Sequence, residues 1–219
     1  IDGDICCYRV GFTTETESEG IAISRLDTMI ERILEEVQCV SNSVYLSDKK
    51  DKNYRYSYLP SYKANRTKPQ PRHLALLRDR LIEHHGALVT PNQEADDALG
   101  IEQCSGMDTI ICTIDKDLKQ IPGRHYNFVK HEFDTVSNLE GIFNFYSQCL
   151  VGDRADNVFG VDGVGEVKAN KALRGLQDEL EMFDCVRHLY NDDNRLLTNM
   201  RVLWVRRLPN EIKGFPNET

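Results

Sequence analysis

The run Thr109-Ile110-Ile111-Cys112-Thr113-Ile114 constrains the fold most, because Asp115-Lys116-Asp117 follows it directly. A continuous β-branched run without alternation is typical of a strand that is buried on both faces of a parallel sheet. The carboxyl ends of such strands deliver polar residues to the edge where ligands bind. We therefore predict a buried parallel strand that ends in a pair of carboxylates at a functional edge.

Strand and helix signals alternate over the first two thirds of the chain, which predicts an α/β fold with a mostly parallel central sheet flanked by helices. The predicted elements are a helix over 21–37, a strand at 43–46, a helix from Leu74, a strand at 87–89, a helix started by Thr90-Pro91-Asn92-Gln93, and a strand at 126–129. Beyond Leu139 the pattern is helical, with a Gly-rich interruption at 160–165. We expect an α/β core over 1–150 and a helical region over 151–219.

Two segments of the predicted core lack a clear period. The chain opens with Ile1-Asp2-Gly3-Asp4, a turn signal, so we expect most of the first strand to lie before Ile1. Residues 49–71 are charged, aromatic and flanked by prolines, which predicts a long functional loop or a small arch.

The formal net charge of −8 is unevenly distributed along the chain. Residues 48–80 hold ten Lys and Arg against three Asp, a net charge of +7, so the remaining residues carry −15. A basic stretch beside an acidic remainder suits an enzyme that binds phosphates with one surface and cations with another, although a charge run is also typical of a solvated face.

Acidic residues stand in five places where predicted strands end or helices begin. They are Asp2 with Asp4, Asp48, Glu94 with Asp96 and Asp97, Asp115 with Asp117, and Asp153 with Asp156. Crowded carboxylates repel one another unless cations compensate them, and oxygen ligands without His or Cys favour Mg²⁺ or Mn²⁺. Two such ions can activate water and stabilise the leaving oxygen of a phosphoryl displacement. Each acidic group alone also fits a helix start or a turn.

Seven cysteines show no C-x-x-C pair and no regular spacing to histidine, so we expect buried free thiols rather than a zinc site or disulfides. The sequence contains no run of about 18 apolar residues and no leader pattern. We therefore expect a cytosolic protein.

Together these motifs resemble the structure-specific 5′ nucleases, the flap endonuclease and 5′→3′ exonuclease family, and especially its short phage members. The resemblance covers nearly the whole chain. It rests on Ile1-Asp2-Gly3-Asp4 with Arg9, Tyr62-Lys63-Ala64-Asn65-Arg66, Glu94-Ala95-Asp96-Asp97, Asp115-Lys116-Asp117, and Gly152-Asp153-Arg154-Ala155-Asp156-Asn157 followed by the Gly-rich stretch at 160–169.

The resemblance implies a PIN-like 5′ nuclease fold and a metal-dependent 5′→3′ deoxyribonuclease with two Mg²⁺ or Mn²⁺ ions. The residues implied to form or support the first metal site are Asp2, Asp48, Glu94, Asp96 and Asp97, and those implied to complete the second are Asp115, Asp117, Asp153 and Asp156. Lys63 and Arg66, joined by Arg9, match the basic residues that act on the scissile phosphate, and Tyr62 is a candidate for stacking on a base.

The Gly-rich stretch resembles the hairpin of a helix-hairpin-helix, or helix-3-turn-helix, element. Gly163, Gly165 and Lys168 would bind DNA there, and the main-chain carbonyls of Val161 and Val164 would hold K⁺. A Gly-rich loop between two helices is the simpler alternative.

The implied substrate is DNA with 5′ ends, nicks or flaps, with RNA in RNA:DNA hybrids as a further candidate, and the implied state is a monomer in the cytoplasm, that of the host if the chain is phage-encoded. The link from Lys63 to Glu94 is shorter than in members with a full helical arch, so we do not expect a 5′ end to thread through a closed hole.

Two other functions stay open at this point. A haloacid-dehalogenase-type phosphatase would use Asp2 with Asp4 and the Asp153 to Asp156 loop, and it would act on small phosphate esters but not on DNA. A DNA-junction binding module with a decayed metal site would bind 5′-ended duplex without cutting it. Every expected carboxylate position is filled, which disfavours decay.

Overall fold

The structure, a computed structural model, describes residues 1–49 and 52–216. Two members of the predicted basic loop, Lys50 and Asp51, lie outside the described residues, as do the last three residues of the predicted helical region. Within the described ranges no helix is long and apolar enough to cross a membrane.

A mostly parallel sheet forms the centre of the N-terminal part. Strand β1 (Tyr45–Ser47) pairs in parallel with β2 (Leu88–Thr90), and β3 (Ile110–Cys112) pairs in parallel with β4 (Gly123–Asn127). Strand β5 (Glu132–Val136) runs antiparallel to β4. The predicted sheet is therefore confirmed, with one antiparallel strand at its edge.

Residues Ile1 and Asp2 join the two halves of this sheet. The amide of Tyr45 donates to the carbonyl of Ile1 at 3.0 Å, and the amide of Asp2 donates to the carbonyl of Cys112 at 3.1 Å. The predicted first strand is thus represented by these two residues, which lie between β1 and β3. Asp2 consequently stands at the same edge as the residues that follow β1 and β3.

The helices described before residue 138 are α1 (Gly3–Thr13), α2 (Glu19–Val37), α3 (Arg55–Tyr58), α4 (Leu74–His85) and α5 (Ala95–Gln103). The predicted helix over 21–37 is confirmed as α2. Its Ser18 cap accepts from an amide of the first turn, and its apolar positions Ala22, Leu26, Ile30 and Ile33 are buried at spacings of three and four. Its face packs into a core with α1 and α4.

Two local expectations were wrong. The turn predicted at the start is helix α1, because the Asp2 carboxylate accepts the amide of Ile5 at 3.0 Å and caps it. The helix predicted to start at Thr90 begins at Ala95 instead. Asn92 has φ +58°, a left-handed conformation that interrupts a helix, and the Glu94 amide donates to the Asp97 carboxylate at 3.3 Å.

The strand predicted at 126–129 is β4, three residues earlier, and it turns back through His131, which has φ +58°, into β5. No strand was expected at 132–136. Most of β5 is exposed, and its sequence has no continuous apolar run like that of β3. For this reason the sequence did not predict it.

The C-terminal part is helical, as predicted. It contains α6 (Asn138–Val151), α7 (Glu166–Leu173), α8 (Glu179–Tyr190) and α9 (Asp193–Leu203), with a small hairpin of β6 (Gly152–Asp153) and β7 (Val158–Phe159) after α6. These helices enclose a second apolar core that includes Phe145, Phe183 and Trp204.

The predicted loop at 49–71 folds partly onto this second core. In its described part, α3 contacts α9, and Tyr62 is packed among the buried residues of the helical core. Residues 64–70 are exposed. Residues 52–63 therefore connect the two parts of the chain, and residues 64–70 are exposed to solvent.

The cysteines are free thiols, and Cys6, Cys7, Cys112 and Cys149 are buried as predicted. Cys39 is exposed.

Candidate active site

A cavity of about 250 Å³ lies between the carboxyl edge of the sheet and the helical part. Its wall contains residues that follow β3, begin α5, follow α6 and end α9. The predicted site residues among its lining are Tyr62, Lys63, Arg66, Glu94, Asp96, Asp115, Asp117, Asp153 and Asp156. Sequence positions up to 94 residues apart are thus brought together.

Two carboxylates of this cavity, Glu94 and Asp156, are compensated by cations, and we call them the paired side. The ammonium of Lys63 forms an ion pair with Glu94 and lies 3.6 Å from Asp156, while Arg66 forms an ion pair with Asp156. Burial alone would raise the pKa of Glu94, but the charges of Lys63 and Arg55 outweigh it and lower that pKa to about 2. Glu94 therefore stays ionised in acid.

The basic motif is held against the turn after β6 by its own backbone. The Lys63 amide donates to the carbonyl of Asp156 at 2.8 Å, and the Arg66 side chain donates to the carbonyl of Ala155 at 3.3 Å. Lys63 has φ +54°, a conformation that a lysine keeps only where its surroundings hold it. The position of its ammonium is therefore set by the fold.

In and behind the cavity, five carboxylates make no ion pair with any residue that the structure describes, and we call them the unpaired side: Asp2, Asp96, Asp115, Asp117 and Asp153. Burial, together with repulsion from neighbouring carboxylates, raises the pKa of Asp2 and of Asp117 to about 7 and raises those of Asp96 and Asp115 as well. Basic side chains of the described residues thus compensate the ionised form of these carboxylates only in part.

Hydrogen bonds hold two members of the unpaired side, Asp153 and Asp2, in place. One oxygen of Asp153 accepts the amides of Ala155 and Asp156 at 2.7 and 3.2 Å, which shapes the turn after β6. Asp2 lies behind the cavity, where it accepts from the Ile5 amide and from the Thr113 hydroxyl at 2.7 Å. Asp153 consequently keeps its second oxygen available, whereas both oxygens of Asp2 are engaged.

Asp97 is a correction to the predicted metal ligands. Its carboxylate is fully buried and forms a bidentate ion pair with Arg55 at 2.6 and 2.9 Å, and it also accepts the amide of Arg206 at 3.1 Å. A carboxylate whose oxygens are both used in this way has no free position for a metal. Asp97 therefore helps to position Glu94 by accepting its amide, and it does not itself line the cavity.

Three other predicted residues are not where the sequence suggested. Tyr62 is buried, and its hydroxyl donates to Asp156 at 2.8 Å and to Glu94 at 3.1 Å, so it cannot stack on a base. Asp48 does not line the cavity. Its two carboxylate oxygens accept the amides of Lys49 and Asn92 at 2.7 and 3.1 Å. Arg9 is exposed on α1, and its side chain makes no ion pair with a described residue.

Sequence reasoning missed several polar residues that hold the site. Arg78 forms an ion pair with Asp4 and donates to the carbonyl of Ser47 at 2.7 Å, beside the end of β1. Arg55 binds Asp97, and Gln148 forms a hydrogen bond with the carboxylate of Asp117. Their partners are distant in sequence, so no local pattern marks them.

The Gly-rich turn before α7 is exposed. Gly163 has φ +72°, which favours glycine, and the Lys168 ammonium donates to its carbonyl at 2.7 Å. The carbonyl of Val161 accepts the amide of Val164 at 3.1 Å. The DNA-binding roles of Gly163, Gly165 and Lys168, and a K⁺ site at Val161 and Val164, stay predictions.

As the side chains stand, no group of three or more His, Cys, Asp or Glu within 1–49 and 52–216 is arranged to hold a metal ion. Two of the candidate ligands, Glu94 and Asp156, are paired with Lys63 and Arg66 instead.

A family model and several curated proteins are similar to the chain. The family model described as "5'-3' exonuclease, N-terminal resolvase-like domain" matches residues 1–146. DNA polymerase I of Caldicellulosiruptor bescii is 28% identical over 91% of this chain and 26% of its own length, and thermostable DNA polymerase I of Thermus filiformis is 29% identical over 79% and 23%. The chain thus spans about a quarter of the length of these curated relatives.

Solved structures share the fold. The bacteriophage T5 D15 protein co-crystallised with metal ions aligns with a TM-score of 0.69 at 18% identity, over 92% of this chain and 86% of that one. The T5 D15 flap endonuclease in a pseudo-enzyme-product complex with DNA and metal ions aligns with a TM-score of 0.67 at 16% identity, again over 92% and 86%.

Proposed function

The chain belongs to the 5′-3′ exonuclease family, and from this we propose that it hydrolyses phosphodiester bonds near the 5′ ends of duplex, nicked or flapped DNA. Two features of one cavity support the proposal: Lys63 and Arg66, paired with Glu94 and Asp156 on one side, and the unpaired carboxylates on the other. The two basic side chains can bind a phosphate once divalent ions bind their carboxylate partners, and the unpaired carboxylates are complementary to such ions.

The donor set of the unpaired side fits Mg²⁺ or Mn²⁺. It offers carboxylate oxygens without His or Cys, and Asp96 makes no hydrogen bond or ion pair with a described residue. Asp96, Asp115, Asp117 and Asp153 would hold the ions, and Glu94 and Asp156 would join them once released from their cations. When bound, a pair of such ions supplies an activated water and stabilises the leaving oxygen.

The residues of the chain bind and orient the phosphate. Lys63 and Arg66 place an ammonium and a guanidinium at one wall, where charge on the reacting phosphate can be stabilised. Tyr62 and the backbone of Asp156 hold Lys63 in position. We propose in addition that the turn at Gly163 and Gly165 contacts the DNA backbone, with K⁺ at the carbonyls of Val161 and Val164, and that RNA:DNA hybrids are also cut.

A phosphatase of the haloacid-dehalogenase type fits the geometry poorly. Its nucleophile would be Asp2, whose two oxygens are engaged with Ile5 and Thr113. Its acid would be Asp4, which is paired with Arg78 and accepts the Ser47 amide at 2.8 Å. Neither carboxylate is free to act on a substrate.

The test is cleavage of end-labelled 5′-flap, nicked and blunt duplexes, and of an RNA:DNA hybrid, in Mg²⁺, Mn²⁺ or EDTA. We expect products from 5′ ends with either metal and none in EDTA. Binding of these DNAs without cleavage would support the inactive junction module, and hydrolysis of a small phosphate ester alone would support the phosphatase. A monomeric state and a cytosolic location stay predictions.

A further inference from the structure

The end of α9 and the residues after it form a buried segment, 202–206, that borders the cavity. The last carbonyls of a helix have no partner within the helix, and burial makes an unpaired carbonyl costly. Two side chains from distant parts of the chain, Arg55 and Gln120, supply the missing donors.

Arg55 connects this segment to the paired side of the cavity. Its guanidinium donates to the carbonyls of Val202 and Trp204, both at 2.9 Å, while it holds Asp97 in the bidentate ion pair. Asp97 in turn accepts the amide of Glu94, and Arg55 lies 3.6 Å from the Glu94 carboxylate. The position of Glu94 is thereby tied to the end of α9.

Gln120 makes the corresponding connection on the unpaired side. Its amide group donates to the carbonyl of Leu203 at 2.9 Å and accepts the amide of Val205 at 3.2 Å. The same group donates at 2.6 Å to Gln148, which hydrogen-bonds Asp117. Gln120 is buried, so each of these bonds would be lost without replacement by water.

From these contacts we infer that segment 202–206 is a clamp, and that Arg55 and Gln120 are positioning residues that use it to fix the spacing between Glu94 and Asp117 across the cavity. This rests on the proposed function. Neighbours of ligating carboxylates set ligand orientation, and their loss typically lowers metal affinity or activity by about 10- to 100-fold. A residue that only stabilised the fold would lower the melting temperature and leave metal affinity unchanged.

The test compares Gln120→Met with a matched control, Tyr190→Phe. Gln120→Met keeps the length of the side chain and removes its hydrogen bonds. Tyr190→Phe removes a buried hydroxyl that donates to the carbonyl of Cys149 at 2.5 Å and accepts from Asn199 at 2.8 Å, among the C-terminal helices. Mn²⁺ affinity is measured on the full chain by the electron paramagnetic resonance signal of free Mn²⁺, beside melting temperature and single-turnover cleavage.

We expect both variants to melt at a lower temperature. Gln120→Met should in addition bind Mn²⁺ about 10- to 100-fold more weakly and cleave more slowly, whereas Tyr190→Phe should match the wild type in both. Wild-type Mn²⁺ affinity and cleavage rate in Gln120→Met would overturn the inference.

Arg55→Lys is the second variant, and it keeps the charge opposite Asp97 but loses the planar fork that reaches Val202 and Trp204. It should weaken Mn²⁺ binding in the same way, and an unchanged affinity would equally overturn the inference. If the wild type neither binds Mn²⁺ nor cleaves DNA, the proposed function fails together with the inference. If the wild type binds Mn²⁺ and cleaves DNA, and the variants match it in both, the inference fails while the proposed function stands.

Discussion

The two sides of the cavity contain the same kind of side chain in opposite electrostatic states. On the paired side, Lys63 and Arg55 lower the pKa of Glu94 to about 2 although burial opposes this. On the unpaired side, burial and mutual repulsion raise the pKa of Asp2 and Asp117 to about 7. The chain itself thus compensates the charge of the paired side, and we propose that divalent cations compensate the unpaired side when it is ionised.

The largest effect is expected from a charge removed on the unpaired side. Asp115→Asn should reduce cleavage below detection while DNA affinity stays the same or increases, because one negative charge that repels phosphate is lost. Gel shifts beside a cleavage assay measure both, and Asp108→Asn, at an exposed aspartate paired with Arg124, is the control. Loss of DNA binding in a folded Asp115→Asn protein would contradict the assignment.

On the paired side, Lys63→Ala should lower the single-turnover rate at saturating DNA by about 10² to 10³, or roughly 3 to 4 kcal/mol, since one well-placed cation is removed from the phosphate. Lys68→Ala, in the exposed part of the loop, should change mainly the salt dependence of binding, by about one unit of slope. A normal single-turnover rate in Lys63→Ala would show that this lysine contributes only to DNA binding.

The two sides should also respond to pH in opposite directions. Asp2 and Asp117 keep protons up to about pH 7 when folded and release them near pH 4 when unfolded, so their contribution to stability is lost as pH rises from about 4 to 7. Glu94 contributes stability above its ordinary pKa of 4.5, and this is lost as pH falls towards 2.

Divalent metal should therefore stabilise the protein more at pH 8 than at pH 5. At 100 times its dissociation constant, Mg²⁺ adds about 2.7 kcal/mol to the free energy of unfolding. Melting curves in EDTA and in Mg²⁺ at both pH values measure this. An equal shift at the two pH values would argue against metal binding by the unpaired side, and no shift at all, with cleavage unaltered in EDTA, would refute it.

The smallest effect concerns Tyr62→Phe, which removes the hydroxyl shared by Glu94 and Asp156. We expect a loss of about 1 kcal/mol in the free energy of unfolding and unchanged DNA affinity, because the ring is buried and cannot reach a base. Urea unfolding and a DNA titration measure the two quantities. A large change in DNA affinity with unchanged stability would restore the predicted stacking role.

Six of the nine carboxylates predicted as metal ligands line the cavity, because their positions depend on local patterns. The β-branched run at Thr109 marked β3, and the end of a parallel strand predicts where Asp115 and Asp117 point. The start of α5 carried Glu94 and Asp96 to the same cavity, although its first residue was predicted wrongly.

The division of the carboxylates into paired and unpaired groups could not be predicted in the same way. Whether an aspartate binds a metal or an arginine depends on which side chain the fold brings to it, and Asp97 meets Arg55 from 42 positions away. Arg78 meets Asp4 from 74 positions away. Tyr62 stood in a charged loop, and only the packing of that loop on the helical core shows that it is buried.

The central claim is that the unpaired side binds divalent cations, and equilibrium dialysis with Mn²⁺ at pH 8 tests it most directly. The wild type and the Asp108→Asn control should bind Mn²⁺, whereas a folded Asp96→Asn, Asp115→Asn double variant should lose most of this binding. Equal Mn²⁺ binding by the double variant and the wild type, or no binding by the wild type, would contradict the claim.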